Sequence, residues 1–261
     1  MALVALFVFA SCKKNTGVTN QPYEAYGTPA NKGQLKVNLA FAYAIDYANL
    51  RIKLNGAYVS NLLQSRTPFP GGGFNTRGSN FALYMSVPLG SNAVSIVMPK
   101  FGTNVDSVVL FSTNVNITDN TPQTLHLTDT AANMKSVLVK NNIVGIADGM
   151  CRFNFVHLMP NVPAVDLYLN GILMKANIPY LGNSGAMDIP VGINAPGFVS
   201  GTSTTWAIRT AGAASTTAAL VSYASANGLQ SGVALTGFSM GYSANTGARL
   251  PYLSLTLDRN Q

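Results

Sequence analysis

The chain has 261 residues, of which 48% are hydrophobic and only 10% charged, with a formal net charge of +7. It can build a substantial core, but Glu24 is its only glutamate, and a surface rich in Asn, Thr, Ser and Gly suits strands and turns better than helices. The positive charge is spread thinly, with no dense Lys/Arg run interleaved with aromatics, which excludes a nucleic-acid groove.

Residues 1–11 are apolar and uncharged. They are too short to span a bilayer as a helix, which takes about 20 residues, and fit the hydrophobic region of a signal peptide. The run Phe9-Ala10-Ser11-Cys12, followed by Lys13, Lys14 and Asn15, resembles a bacterial lipobox. That resemblance implies that Cys12 becomes the acylated first residue of a lipoprotein, with the lipid bilayer as its partner. Residues 12–34 lack hydrophobic periodicity and contain Pro22, Gly27, Pro29 and Gly33, so they read as a flexible tether.

Beyond the tether the chain repeats itself. Leu50 to Gly56 (LRIKLNG) lines up with Val165 to Gly171 (VDLYLNG), and Val87 to Ala93 with Ile189 to Ala195. Gln123 to Thr128 aligns more loosely with Ser231 to Thr236, and Val137 to Asn141 with Leu255 to Arg259. Each copy carries about seven short runs alternating apolar and polar, the pattern of a strand with one buried and one wet face. Asn55-Gly56 and Asn170-Gly171 sit between such runs, where a type I′ hairpin needs two residues with positive φ. The expected fold is all-β: two tandem immunoglobulin-like β-sandwich domains, a divergent one over 35–145 and a second over 146–261. Ala211 to Ala226 is alanine-rich but is read as strand and loop.

The first copy holds an insertion from Thr67 to Asn80. Pro70-Gly71-Gly72-Gly73 there lacks the Gly-Lys-Ser/Thr of a phosphate loop and reads as a mobile hairpin tip. Arg66, Phe69, Phe74 and Arg77, aromatics and arginines among glycines, make it the candidate contact loop.

The second copy opens Arg152-Phe153, His157, Pro160, Pro163, Val165-Asp166, Tyr168 and Asn170-Gly171, with Ile189-Pro190-Val191-Gly192 later. This resembles the opening signature of the "domain of unknown function 4397" family of bacterial envelope proteins, over much of residues 150–261; Ala42 to Asn49 in the first copy lacks the prolines and the histidine. The resemblance implies a β-sandwich, often in tandem and lipid-anchored, and carries no activity. The motif residues are read as structural: the prolines stiffen a connection between strands, and His157 and Asp166 are placed to hydrogen-bond across it.

Catalytic signatures are sparse. Gly237-Phe238-Ser239-Met240-Gly241 fits the nucleophile elbow of α/β-hydrolases, but no helix pattern and no histidine follow it. The eight aspartates and Glu24 form no recognisable glycosidase pair. No Cys/His spacing suggests zinc and no loop suggests calcium. With Cys12 acylated, Cys151 has no partner and reads as a buried small hydrophobe. Asp106-Ser107-Val108 and Asp129-Thr130-Ala131 resemble short O-glycosylation acceptors. No catalytic residue, metal or cofactor is expected.

The sequence therefore points to a non-catalytic, exported outer-membrane lipoprotein on the periplasmic or cell-surface face. It would act as a structural, adhesion or protein-interaction module with an envelope partner. The alternative is a carbohydrate-binding lipoprotein for glycan capture, using aromatics drawn from Tyr168, Tyr180, Trp206, Tyr223 and Tyr242.

Overall fold

The computed structural model describes residues 31–41, 50–100, 102–103, 105–226 and 228–260. Its strands in chain order are β1 (Lys32–Leu39), β2 (Arg51–Leu54), β3 (Ala57–Tyr58), β4 (Pro68–Phe69), β5 (Gly73–Phe74), β6 (Met85–Pro88), β7 (Gly90–Pro99), β8 (Asp106–Ile117), β9 (Gln123–Thr128) and β10 (Lys135–Lys140). There follow β11 (Met150–His157), β12 (Ala164–Leu169), β13 (Ile172–Pro179), β14 (Met187–Pro190), β15 (Thr204–Thr210), β16 (Val221–Ser225), β17 (Ala234–Met240) and β18 (Tyr252–Arg259). The helical residues among those described are confined to three short 3-10 turns. The all-β expectation holds, including strand and loop over Ala211 to Ala226. Strand β1 begins at Lys32, so the last residues assigned to the tether are part of the sheet. Cys12 and Ala42 to Asn49 lie outside the described residues.

Four sheets form. The first half supplies β10-β9-β1-β6 and β3-β2-β7-β8; the second supplies β18-β17-β11-β14 and β13-β12-β15-β16. The pairing scheme is the same in both halves, down to a parallel pair, β1 with β9 and β11 with β17, inside otherwise antiparallel sheets. Asn55-Gly56 and Asn170-Gly171 turn the equivalent hairpins, with φ of 50° and 85° in one and 49° and 82° in the other. Both asparagines also brace the adjacent strand: Asn55 Oδ1 accepts from the Ala93 amide and Asn170 Oδ1 from the Thr205 amide, each at 2.8 Å.

The pairing corrects the alignment in detail. Val87-Pro88 and Ile189-Pro190 occupy equivalent places, but the first half enters β7 at once, while the second inserts a loop from Val191 to Ser203 before β15. Register equates Thr124 with Thr236 and Lys36 with Asn154, a slip of four residues from the looser sequence match.

Alternation packs one face of each sheet inward. Leu35, Val37, Leu39, Ile52, Val94 and Leu125 build one core, and Phe153, Phe155, Leu167, Trp206, Leu235 and Leu255 another. Trp206 stacks on Phe153 with ring centroids 3.8 Å apart. Cys151 is fully buried and free. A third cluster, Ala40, Val139, Val156, Leu158, Phe238 and Met240, draws on both halves. The molecule is thus four layers of sheet, and the outer faces of the β10-β9-β1-β6 and β18-β17-β11-β14 sheets press on each other. Every residue of β9 and β17 is buried, so the expected wet face of these strands is corrected: it lies in the seam.

The insertion ties this seam. Strand β4 adds to β1, pairing Val37 with Phe69, while β5 adds to β18, pairing Leu255 with Phe74. Phe69 packs against the first core and Phe74 against the second. Pro70 to Gly73 is therefore a clamped crossing and not a free hairpin tip. A Cβ on Gly72 would meet the Ser79 carbonyl at 1.7 Å, and one on Gly73 the Leu255 carbonyl at 2.0 Å. Replacing Gly73 by Ala is expected to cost about 2–3 kcal/mol, as forced core overpacking does. Gly56→Ala, at a turn with open space around it, is expected to cost about 1 kcal/mol from backbone strain alone. Denaturant midpoints of the two variants check the ordering.

Candidate functional site

The chemically richest place is the middle of the seam. Lys36 points outward from its own core on β1 and is fully buried by the facing sheet. Its ammonium donates to Asp258 Oδ1 at 3.2 Å, to Thr256 Oγ1 at 3.2 Å and to the Leu257 carbonyl, which uses all three of its protons. Asp258 Oδ1 also accepts from Tyr84 Oη at 3.2 Å and Asn141 Nδ2 at 3.1 Å, and Oδ2 from Thr236 Oγ1 at 2.5 Å. The Tyr84 ring lies 4.5 Å from the ammonium. Burial lowers the Lys36 pKa against the pull of Asp258, and burial together with the neighbouring carboxylate holds the Tyr84 phenol well above its usual range. Removing a charge from water is offset only when its partners are complete, and here they are.

Beside this pair, His126 on β9 is fully buried. Its Nδ1 accepts from Asn38 Nδ2 at 3.0 Å, and its ring lies tilted against Phe238 of the facing sheet. Burial, and then the Lys36 charge, push its pKa down to about 3, so it is a neutral imidazole. A second histidine cluster lies at the ends of β11 and β17, on the face that turns toward the second core and away from the seam. His157 Nε2 donates to the Val162 carbonyl at 2.8 Å, and Nδ1 accepts from Ser239 Oγ at 3.1 Å. Ser239 also accepts from the Leu158 amide at 3.3 Å. Burial lowers the His157 pKa.

The motif residues each have a place in this frame. His157 pins the turn holding Pro160 and Pro163 through the Val162 carbonyl. Asp166 does not bond His157. Its carboxylate accepts instead from the Asn177 amide at 2.7 Å and the Gly212 amide at 2.9 Å, holding the bulged β12–β13 pair to the following turn. Asn170 Nδ2 also donates to the Pro196 carbonyl at 2.9 Å. Of the candidate contact loop, Phe69 and Phe74 face the two cores, and Arg66 lies 4.4 Å over the Tyr252 ring. Arg77 is exposed, with its guanidinium on Gln64.

The Ser239–His157 pair brings together the two residue types that the G-x-S-x-G motif requires, which sequence order had separated. Ser239 lies within strand β17, not at a strand-to-helix elbow, and both side chains are fully buried. The proton on His157 Nε2 goes to a backbone carbonyl where a triad would place a carboxylate on the second nitrogen. The pair orients a turn. Lys36–Asp258 and His126–Asn38 were not legible as sites, because each residue falls at an ordinary polar position of an alternating strand. Among the described residues no three His, Cys, Asp or Glu side chains gather where a metal ion could bind.

A domain matching the family described as "Domain of unknown function (DUF4397)" is found at residues 75–168. The DUF4397 match runs from the insertion through β6–β10 into β11 and β12. It includes His157, Pro160, Pro163 and Asp166 of the opening signature and stops short of Asn170-Gly171. It thus reaches back through the half whose sequence diverges more, and does not extend over the rest of the second copy. A search of curated proteins found no match.

Two outcomes follow from the seam. Lys36→Met leaves Asp258 buried without its cation and is expected to cost about 3–5 kcal/mol, whereas Lys36→Met with Asp258→Leu is expected to recover part of that loss. A double-mutant cycle on urea midpoints measures it. For His126, the unfolded chain takes up a proton near pH 6.5 that the folded chain refuses until about pH 3. Stability is therefore present above pH 6.5 and falls across that window by about 1.4 kcal/mol per pH unit. In His126→Gln that decline is expected to flatten, leaving the smaller part due to His157.

Proposed function

We propose that the protein is a non-catalytic, membrane-anchored envelope lipoprotein of two tandem sandwich domains, 35–145 and 146–261, working as a structural, adhesion or protein-interaction module. Each half keeps the essentials of an immunoglobulin-like sandwich, two sheets over one core, with hairpins at both edges of its outer sheet. The observation that carries the reading is where the reactive groups sit. Lys36, Asp258, His126, His157 and Ser239 are all buried, and each is hydrogen-bonded within the fold, His126 to the Asn38 side chain and the others to one another or to backbone. A catalytic group must reach a substrate, whereas Lys36–Asp258 joins the two sandwiches, and the histidines and Ser239 brace the strands and the turn beside them. The lipobox-like Phe9-Ala10-Ser11-Cys12 supports anchoring through acyl chains on Cys12, each buried CH₂ contributing about 0.8 kcal/mol.

Glycan capture finds less support. Trp206 and Tyr168 are buried, Tyr223 packs against the second core, and Tyr242 Oη donates to Asp129 in the seam. These aromatics do not combine into an open platform for a sugar ring.

The reading is tested by fractionating cells that express the full chain. The native protein is expected in the outer-membrane fraction, with crosslinking on intact cells recovering an envelope partner. Cys12→Ala is expected to shift it into the soluble fraction with its fold unchanged. A Cys12→Ala chain that fractionates like the native one overturns the anchor.

A further inference from the structure

The two facing sheets run in the same direction, which gives the molecule two distinct ends. At the beginning of β9, beside Thr124, Lys36 meets Asp258, next to Leu257, which pairs with Leu235 at the beginning of β17. At the other end, Thr128 Oγ1 donates to the Leu158 carbonyl at 2.6 Å, and Tyr242 Oη donates to Asp129 at 2.7 Å. Beginnings face beginnings and ends face ends, so β1 and β11 start at the same end of the molecule.

That end carries Asn31, the first described residue, whose carbonyl accepts from the Leu89 amide. The second half presents there its Asn170-Gly171 turn and the loop from Val191 to Ser203, held at the equivalent place by the Val191 amide donating to the Gly149 carbonyl. The loop has no counterpart in the first half. It is fixed to the turn by Asn170 Nδ2 on the Pro196 carbonyl, and a Cβ on Gly197 would meet Asn170 and Ile172. What it displays is apolar: Ile193 is 79% exposed, Val199 60%, Ile172 50%, Leu173 49% and Phe198 42%. No charged residue occurs from Ile189 to Ile208. Exposed apolar side chains gathered on one uncharged tip mark a contact surface, whereas scattered ones do not.

We infer that this tip, Ile172, Leu173, Ile193, Phe198 and Val199, rests on the lipid bilayer to which the chain is tethered. The inference builds on the membrane-anchored reading. Residues 12–30 connect Cys12 to Asn31, so the end that bears the tip is the end from which the chain leads to the anchor. Burying uncharged apolar side chains at a lipid surface desolvates no ion pair, and a second attachment beside the acyl chains fixes the body's orientation.

The test uses the full acylated chain in vesicles of phosphatidylethanolamine and phosphatidylglycerol. An environment-sensitive dye is attached at Val199→Cys or, at the opposite end, at Asn245→Cys. A lipid-borne quencher is expected to quench the dye at 199 several-fold more than the dye at 245. Adding Ile193→Ser and Phe198→Ser is expected to abolish the difference while the chain still sediments with the vesicles. Equal quenching at the two positions, as would follow if a protein partner covers the tip, overturns the inference and leaves the anchor standing. If the chain is instead recovered without acyl groups and free of membranes, the anchor reading fails and the tip is tested alone. Sedimentation with added vesicles that the two serines abolish then supports it, and absence of sedimentation overturns it.

Discussion

The constraint that organises this molecule is that two sheet faces, each polar by the rule of alternation, are buried against each other. A sandwich normally leaves its outer faces to water. Here the outer faces of two central sheets exclude it, so a charged group between them needs partners inside the seam. Lys36 and Asp258 meet that need with a full set of donors and acceptors, and Thr124, Asn141 and Thr236 complete the network around them. An apolar pair of the same volume could be as stable. The ion pair adds register: Lys36 reaches Thr256, Leu257 and Asp258 together only when the sheets face each other in one alignment.

The insertion serves the same constraint from the side. Two sheets that meet face to face have edges that must be closed or protected. One crossing places β4 on one sheet and β5 on the other, and plugs an aromatic into each core. The close approach of Gly72 and Gly73 to backbone atoms explains why three glycines stand in a row there. A segment rich in glycine, phenylalanine and arginine reads as a contact loop when its partner is unknown. Its partner is the rest of the chain.

The sequence was legible where local physics decides. Asn-Gly between alternating runs has one good solution, and both hairpins adopt it. Alternation signalled strands with a buried face, and an unpaired Cys151 opening an apolar strand is buried. It was not legible where a distant surface decides. Thr-Leu-His-Leu-Thr in β9 has the same pattern whether its polar face meets water or another sheet, so His126 gave no sign of being buried. The repeat was visible, but its alignment slipped in β9 and β17, because only cross-strand register tells which residues share a place. Ser239 and His157 are far apart in sequence, and their contact follows from the parallel pairing of β11 with β17, which periodicity does not encode.

Register also exposes how the two halves are related. Asn141 and Asp258 occupy equivalent positions and hydrogen-bond to each other; His126 and Phe238 do likewise through ring contact. Equivalent residues can meet only near an axis relating the halves, and because β1 and β11 point the same way that axis runs along the strands. The seam is therefore arranged like the interface of a symmetric dimer, in which one patch meets its own copy. Exact symmetry would repeat the pair, with a lysine at 154 and an aspartate at 141, and would bring two like carboxylates together where Asn141 now donates to Asp258. The chain breaks it at two places. Lys36 has Asn154 as its equivalent and Asp258 has Asn141, so one site holds the ion pair and the other stays neutral. The shorter Asn154 does not fill the space that Lys36 fills opposite, and a groove of about 250 Å³ lined by Asn154, Asn141 and Thr236 opens there. Joining both halves in one chain is what allows that asymmetry, since identical subunits would carry the same residue at both places.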